Sequence, residues 1–264
     1  MIQTFEPIQA LCGLVDYIWV MDFEFLEDNY REDIIMPLGH VNLIFNYGSR
    51  YSLVEQDLML AIPDVAIIGQ MKRAKHVRYG QRLQQMGVSL TPLGYIQIFG
   101  EPGIALTERI VQASDVGAGT EELYQELKAS PDIEQQITAV HQYLLQQLTL
   151  NKGDTARIES MLSYVEQAYE DLSIANMAKA FQVSVSTLER FFKKWVGLTP
   201  KAYGDIVKFR KHAEDKGLRE NMQDHYYDQS HLIKTSKRFA GKTVKELEKL
   251  QHELTLRYVW QDES

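Results

Sequence analysis

The residues with the most chemistry to offer lie in SVSTLERFFKKWVG, residues 184–197. Drawn as a helix, the segment turns Leu188, Phe191, Phe192 and Trp195 inward and leaves Ser186, Thr187, Glu189, Arg190, Lys193 and Lys194 outward. Serine, glutamate and arginine near a helix N-terminus can hydrogen-bond base edges, and lysines in the last turns suit phosphates. Ser184 is placed to cap this helix and Gly197 to follow its end. A second short helix precedes it, with Ser173 as cap, Ile174, Met177, Ala178 and Phe181 inward, and Gln182-Val183 as the turn. Two short helices joined tightly, the second polar on its outer side, form a helix-turn-helix whose second member fits the major groove of DNA. The same spacing fits a helical hairpin inside an all-α core equally well.

Other chemistries find little support. There is no nucleophile elbow, phosphate-binding glycine loop or metal-ligand pair, so no enzyme is expected. Cys12 is the single cysteine, which excludes an internal disulfide and any multi-cysteine metal site. The seven histidines, at 40, 76, 141, 212, 225, 231 and 252, are scattered, and neither a metal nor a cofactor is expected. No apolar run approaches the roughly 20 residues that span a bilayer, and the N-terminus lacks the pattern of a secretory signal. These features point away from a membrane and toward a reducing cytoplasm.

The net charge of −8 over 264 residues is unusual for a nucleic-acid ligand until it is divided by position. Residues 1–150 hold 9 Lys and Arg against 19 Asp and Glu; residues 151–264 hold 19 against 17. Within 184–257 the ratio is 16 to 10. Phosphate binding needs a local basic face, and the modest basic excess coincides with the helical pair.

The elements that must position those residues fall into two textures. Up to about residue 100, HVNLIFNY (40–47), DVAIIGQ (64–70) and QQMGVSL (84–90) read as short strands punctuated by glycine and proline, as in an antiparallel barrel or sandwich. From about 104 the texture is helical, and Ile133, Ile137, Val140, Leu144 and Leu148 form one stripe that suits a core or a self-association face. TLNKGDT (149–155) reads as a linker. Beyond it, Ile158, Met161, Leu162, Val165, Ala168, Tyr169 and Leu172 describe another apolar helical face. The fold class expected is α+β: an N-terminal antiparallel β-barrel with helices over 1–150, then an all-α helix-turn-helix domain over 156–252.

Residues 172–214, LSIANMAKAFQVSVSTLERFFKKWVGLTPKAYGDIVKFRKHAE, resemble the first half of the DNA-binding domain of the AraC/XylS regulators. The likeness rests on Ala178, Val183-Ser184, Leu188, Arg190, Phe192, Gly197, Thr199-Pro200, Tyr203 and Arg210. YYDQSHLIKTSKRFAGKT (226–243) resembles that family's second recognition helix and its exit. The resemblance implies Ser186, Glu189 and Arg190 as base-facing in the first motif. In the second it implies Gln229, Ser230, His231 and Lys234, with Lys237 among the basic groove-facing residues and Asp228 as a cap. The chain departs from the family between Ala213 and Tyr226, where a full helix is reduced to EDKGLRENMQDH, and at Asn221, Asp224, His225, Ser236 and Val244. A polar residue in a core slot costs roughly 1–3 kcal/mol if unpaired, so the second helix-turn-helix reads as partly degenerate.

The front half, in PIQALCGLVDYIW (7–19), MPLGHVNLIFNYG (36–48), IIGQ (67–70) and VSLTPLGYIQIFG (88–100), resembles the cupin-like domain attached to one branch of these regulators. That resemblance implies a domain that binds a small effector, dimerises, or both. Trp19, His40 and Phe45 are the pocket candidates, and barrel core is the alternative for each. The function expected is a sequence-specific regulator acting on double-stranded DNA, as a homodimer or under control of a small-molecule effector. The alternative is a module that has lost DNA binding and heterodimerises with a related regulator.

Overall fold

The computed structural model describes residues 1–25, 31–55, 58–151 and 153–214, with Lys237, Phe239 and Gly241 besides. Strands β1 (Ile2–Phe5), β2 (Val15–Glu24), β3 (Arg31–Ile35), β4 (Val41–Asn46), β5 (Tyr51–Glu55), β6 (Leu58–Ala61), β7 (Val65–Ile68), β8 (Lys75–Tyr79), β9 (Arg82–Leu90) and β10 (Ile110–Gln112) make two antiparallel sheets. The larger runs β1-β2-β9-β4-β7-β10 and the smaller β3-β8-β5-β6. The three strand segments legible in the sequence are all present, as β4, β7 and part of β9. Of the expected antiparallel barrel or sandwich the open form is found: among the described residues the ladders form two separate sheets facing each other, and the barrel is not closed.

Alternation along the strands gives the large sheet two different apolar faces. Ile18 and Val20 of β2, Val41, Leu43 and Phe45 of β4 and Val88 and Leu90 of β9 join the core beneath the helices. Their neighbours Trp19 and Met21, Ile44, Ala66, Ile68 and Leu83 turn the other way and meet Tyr51, Val77 and Tyr79 of the small sheet. The sheet is buried on both sides, which explains why its strands read as nearly continuous apolar runs.

Helices α1 (Pro92–Phe99), α2 (Thr120–Ala129) and α3 (Ile133–Leu150) cover the first face. Thr91 caps α1 by accepting the Gly94 N–H, Pro92 occupies the first turn, and Gly100 ends the helix at φ 74°. The α3 stripe resolves as core: Ile137, Val140 and Leu144 are buried, with Ile133 and Leu148 packed at its margin. The connection from α3 to α4 (Ala156–Ala168) falls at 151–155, where the linker composition lies. Then come α5 (Ile174–Ala180), α6 (Val185–Val196) and α7 (Pro200–Glu214).

The two halves share one apolar cluster, which runs from Leu11 through Leu144 to Phe192 and Phe209. The α6 C-terminus sits on a 3₁₀ turn at Gly103–Leu106, where a Cβ on Gly103 would lie 2.6 Å from the Trp195 carbonyl oxygen. Thr107 Oγ1 donates to the Gly197 carbonyl at 2.8 Å, and Asn151 Nδ2 to that of Ile98 at 2.6 Å.

Gly87, across the ladder from Trp19, leaves room for the indole to lie flat on the sheet; a Cβ there would stand 2.1 Å from the ring. Gly87→Ala is expected to displace Trp19 and destabilise the chain by about 1–3 kcal/mol in urea unfolding. An unchanged midpoint and an unchanged Trp19 emission would contradict this packing.

Candidate nucleic-acid interface

The helical pair is built by local signals. Ser173 Oγ accepts the Asn176 N–H at 3.3 Å and opens α5. The turn passes through Gln182 at φ 53°, a left-handed conformation, and Ser184 then opens α6 by accepting the Thr187 N–H at 3.2 Å. Gly197 closes α6 at φ 89°, its N–H donating to Lys193 O at 3.0 Å. Leu188, Phe192 and Val196 are buried; Phe191 and Trp195 are half-buried.

Ser186, Arg190, Lys193 and Lys194 are exposed, as the spacing predicts, and recur along one side of α6. Thr187 and Glu189 are half-buried. Thr187 Oγ1 accepts from Ser184 Oγ at 2.9 Å, so its hydroxyl is engaged in the cap. Lys194 lies over the Trp195 ring, its Nζ 5.2 Å from the centroid. Sequence reasoning missed Lys179, exposed in the last turn of α5, and Val185, exposed at the start of α6. Of the second motif, Lys237 is helical and exposed, while Gln229, Ser230, His231 and Lys234 lie outside the described residues.

Behind the helical pair, α7 reaches the β-sheet half. Arg210 Nη1 donates to the Leu38 carbonyl at 3.1 Å and stands 3.0 Å from His40 Nε2; its Nη2 pairs with Glu166 of α4 at 2.9 Å. Gly39, at φ 83°, packs against Ile206 and Tyr203 of α7. The Tyr203 hydroxyl donates to Glu166, and Lys211 Nζ to the Glu166 carbonyl. Farther along, the Phe239 carbonyl accepts the Ala74 N–H at 2.6 Å, with its ring on Phe209.

His40 Nε2 also lies 3.1 Å from Asp16 Oδ2. One ring nitrogen cannot donate to a carboxylate and accept from a guanidinium at once, so each neutral tautomer satisfies one neighbour. Burial, the largest influence, and Arg210 hold His40 below its ordinary pKa against Asp16 and Glu166. Burial pushes Asp16 up, yet the His40 hydrogen bond and the charges of His40 and Arg210 leave it below the usual carboxylate value.

Trp19 and His40 line one cavity of about 80 Å³ between the two sheets. Phe45 does not: it points from β4 into the core under the helices, while Asn42 and Ile44 of the same strand face the cavity. Among the described residues no three His, Cys, Asp or Glu side chains gather as a metal cluster, and no helix is long and apolar enough to cross a membrane.

Ser184→Ala removes the α6 cap and is expected to cost about 1 kcal/mol, read as a lowered Tm. A depressed histidine pKa contributes stability that is full above the unfolded value of about 6.5 and is lost as pH falls through the folded value. The decline in Tm from about pH 7 to pH 5 is therefore expected to be shallower in His40→Gln than in the wild type. Equal slopes would show that His40 takes up its proton at no cost to the fold.

The model of a domain family of unknown function, DUF6597, matches residues 3–112. No curated protein matches the chain. Among solved structures, it is similar to the apo form of a ToxT variant from Vibrio cholerae strain SCE256. The TM-score is 0.51 at 7% identity, covering 87% of this chain and 96% of that one. It is also similar to ToxT from Vibrio cholerae in a 1.65 Å structure, with TM-score 0.50 at 8% identity and coverage of 93% and 99%. At these identities the likeness is one of fold, and it embraces both the sheets and the helices.

Proposed function

We propose that the chain is a sequence-specific DNA-binding transcription regulator of the AraC/XylS type. The observation that carries the reading is α6 itself: a helix capped at both ends, following a tight turn, with Ser186, Arg190, Lys193 and Lys194 exposed along one side. Inserted into a major groove, Arg190 is suited to guanine O6 and N7, and Lys193 and Lys194 to the flanking phosphates. Glu189, half-buried beside them, is suited to accept from cytosine N4. On this reading residues 156–252 form the DNA-reading part and residues 1–150 the sensing or dimerising part. A homodimer would place two copies of α6 on successive half-sites, and Gln229, Ser230, His231, Lys234 and Lys237 would belong to a second reading element. The acidic front half disfavours non-specific approach to DNA, leaving selectivity to the basic face.

The test is selection of bound sequences from random duplexes by the full chain, followed by affinity measurements at two salt concentrations. Arg190→Ala is expected to weaken the selected site by about 1–3 kcal/mol and to relax preference at one base position. Lys193→Ala is expected to weaken selected and random duplexes alike and to lower the salt slope by about one. Failure of the full chain to select any sequence would overturn the regulator and favour a module that acts only by pairing with a related protein.

A further inference from the structure

A single exposed apolar side chain on an ordinary surface calls for no explanation. Val185 is placed differently: it stands at the first position of α6, 43% exposed. Among the described residues it is the one large apolar side chain exposed on the helical pair. Local structure gives it no duty there. Ser184 makes the cap, while Val183 and Leu188 hold the two positions that staple a helix entry, and both join the core. A β-branched residue gains nothing from a solvated first turn, where proline or a polar residue serves better. Val185 also lies in line with the buried Phe192 and Val196, so the apolar stripe of α6 runs about a turn past the core it covers.

The surroundings decide what this valine can meet. Its neighbours Ser184 and Ser186 are exposed, and Lys179, Arg190, Lys193 and Lys194 are exposed on the same two helices. A protein or lipid partner calls for a continuous apolar patch, whereas this face offers one isopropyl group among hydroxyls and cations. A polyanion that presents single methyl groups within a groove matches that pattern. On duplex DNA the group of this kind is the C5-methyl of thymine, which projects into the major groove. We infer that Val185 is a specificity-determining residue that packs on a thymine methyl. The inference rests on the regulator reading and adds an apolar contact to its polar ones. Residues at the N-terminus of a recognition helix reach base edges, and Val185 precedes Arg190 by five positions, about 7.5 Å along the helix. With base pairs stacked about 3.4 Å apart, the thymine lies within about three base pairs of the base that Arg190 contacts.

The test offers the full chain its selected duplex with each thymine replaced in turn by deoxyuridine. That replacement removes the C5-methyl and leaves the base pairing intact. At one thymine in each reading site, near the position that Arg190→Ala relaxes, it is expected to weaken binding about fourfold, the effect of one buried methyl. Val185→Ala is expected to bind the thymine and uracil duplexes alike, and Val185→Ile, equally branched and apolar, to retain the preference. A uracil duplex bound as well as the thymine one at every position overturns the inference and leaves the regulator standing. A Val185→Ala chain that still prefers thymine also overturns it, because the methyl is then read by another residue. A chain that selects no sequence at all refutes the regulator and this contact together.

Discussion

Arg210 carries a permanent charge into a region where its side chain is only 12% exposed, and the surrounding architecture is arranged to receive it. A guanidinium removed from water must have its donors matched, or the desolvation penalty stands uncompensated. Its partners include Glu166 on α4, the Leu38 carbonyl, and the imidazole of His40. The arrangement requires the 36–40 loop to approach α7 closely, which Gly39 permits with its positive φ and its contact with Tyr203 and Ile206. Gln70 steadies the same loop by donating to the Gly39 carbonyl at 2.9 Å. One buried charge thus fixes the relation between the sheets, the cavity wall and the helices that carry the candidate reading face.

The apolar packing around this clasp supplies most of the adhesion, because dispersion and water exclusion scale with the area covered and have little directional preference. What the polar contacts add is a defined register. Packing of α6 against Gly103–Leu106 tolerates little displacement, since the backbone of Trp195 and Val196 lies within about 3 Å of where a Cβ on Gly103 would be. The orientation of Arg190 and Lys193 is consequently set from two directions, by the turn at Gln182 within the helical pair and by this contact behind it.

Much of the local structure was legible in the residues. The serine caps, the α6 terminus at Gly197 and the division of α6 into buried and exposed sides follow from periodicity and capping, which act over a few residues. The cavity was only half legible. Trp19 and His40 come from separate segments, and their meeting depends on strand order, which no local pattern encodes. Phe45 could have been placed by alternation, because Asn42 and Ile44 face the cavity and a strand residue one step away must face elsewhere. Asp33, on β3 of the small sheet, lines the same cavity and drew no notice, since a lone acidic residue on a short strand reads as a solvent-facing one, and its burial depends on the apposed large sheet. Arg210 drew notice through family likeness, but its reach to Leu38 spans 172 positions of sequence.

The single apolar cluster that runs beneath both halves has a consequence for modularity. A chain with a β-sheet half and a helical half invites exchange of parts, one half joined to a new partner at the 151–155 connection. In this chain such a graft would cut through side chains that pack on one another, and would strand Arg210 and Glu166 without the loop that completes their set. The seam for transplantation therefore follows the surface made by Gly39, Gly103 and Thr107 against α6 and α7, and any donor half must reproduce that surface before its own specificity can be expressed.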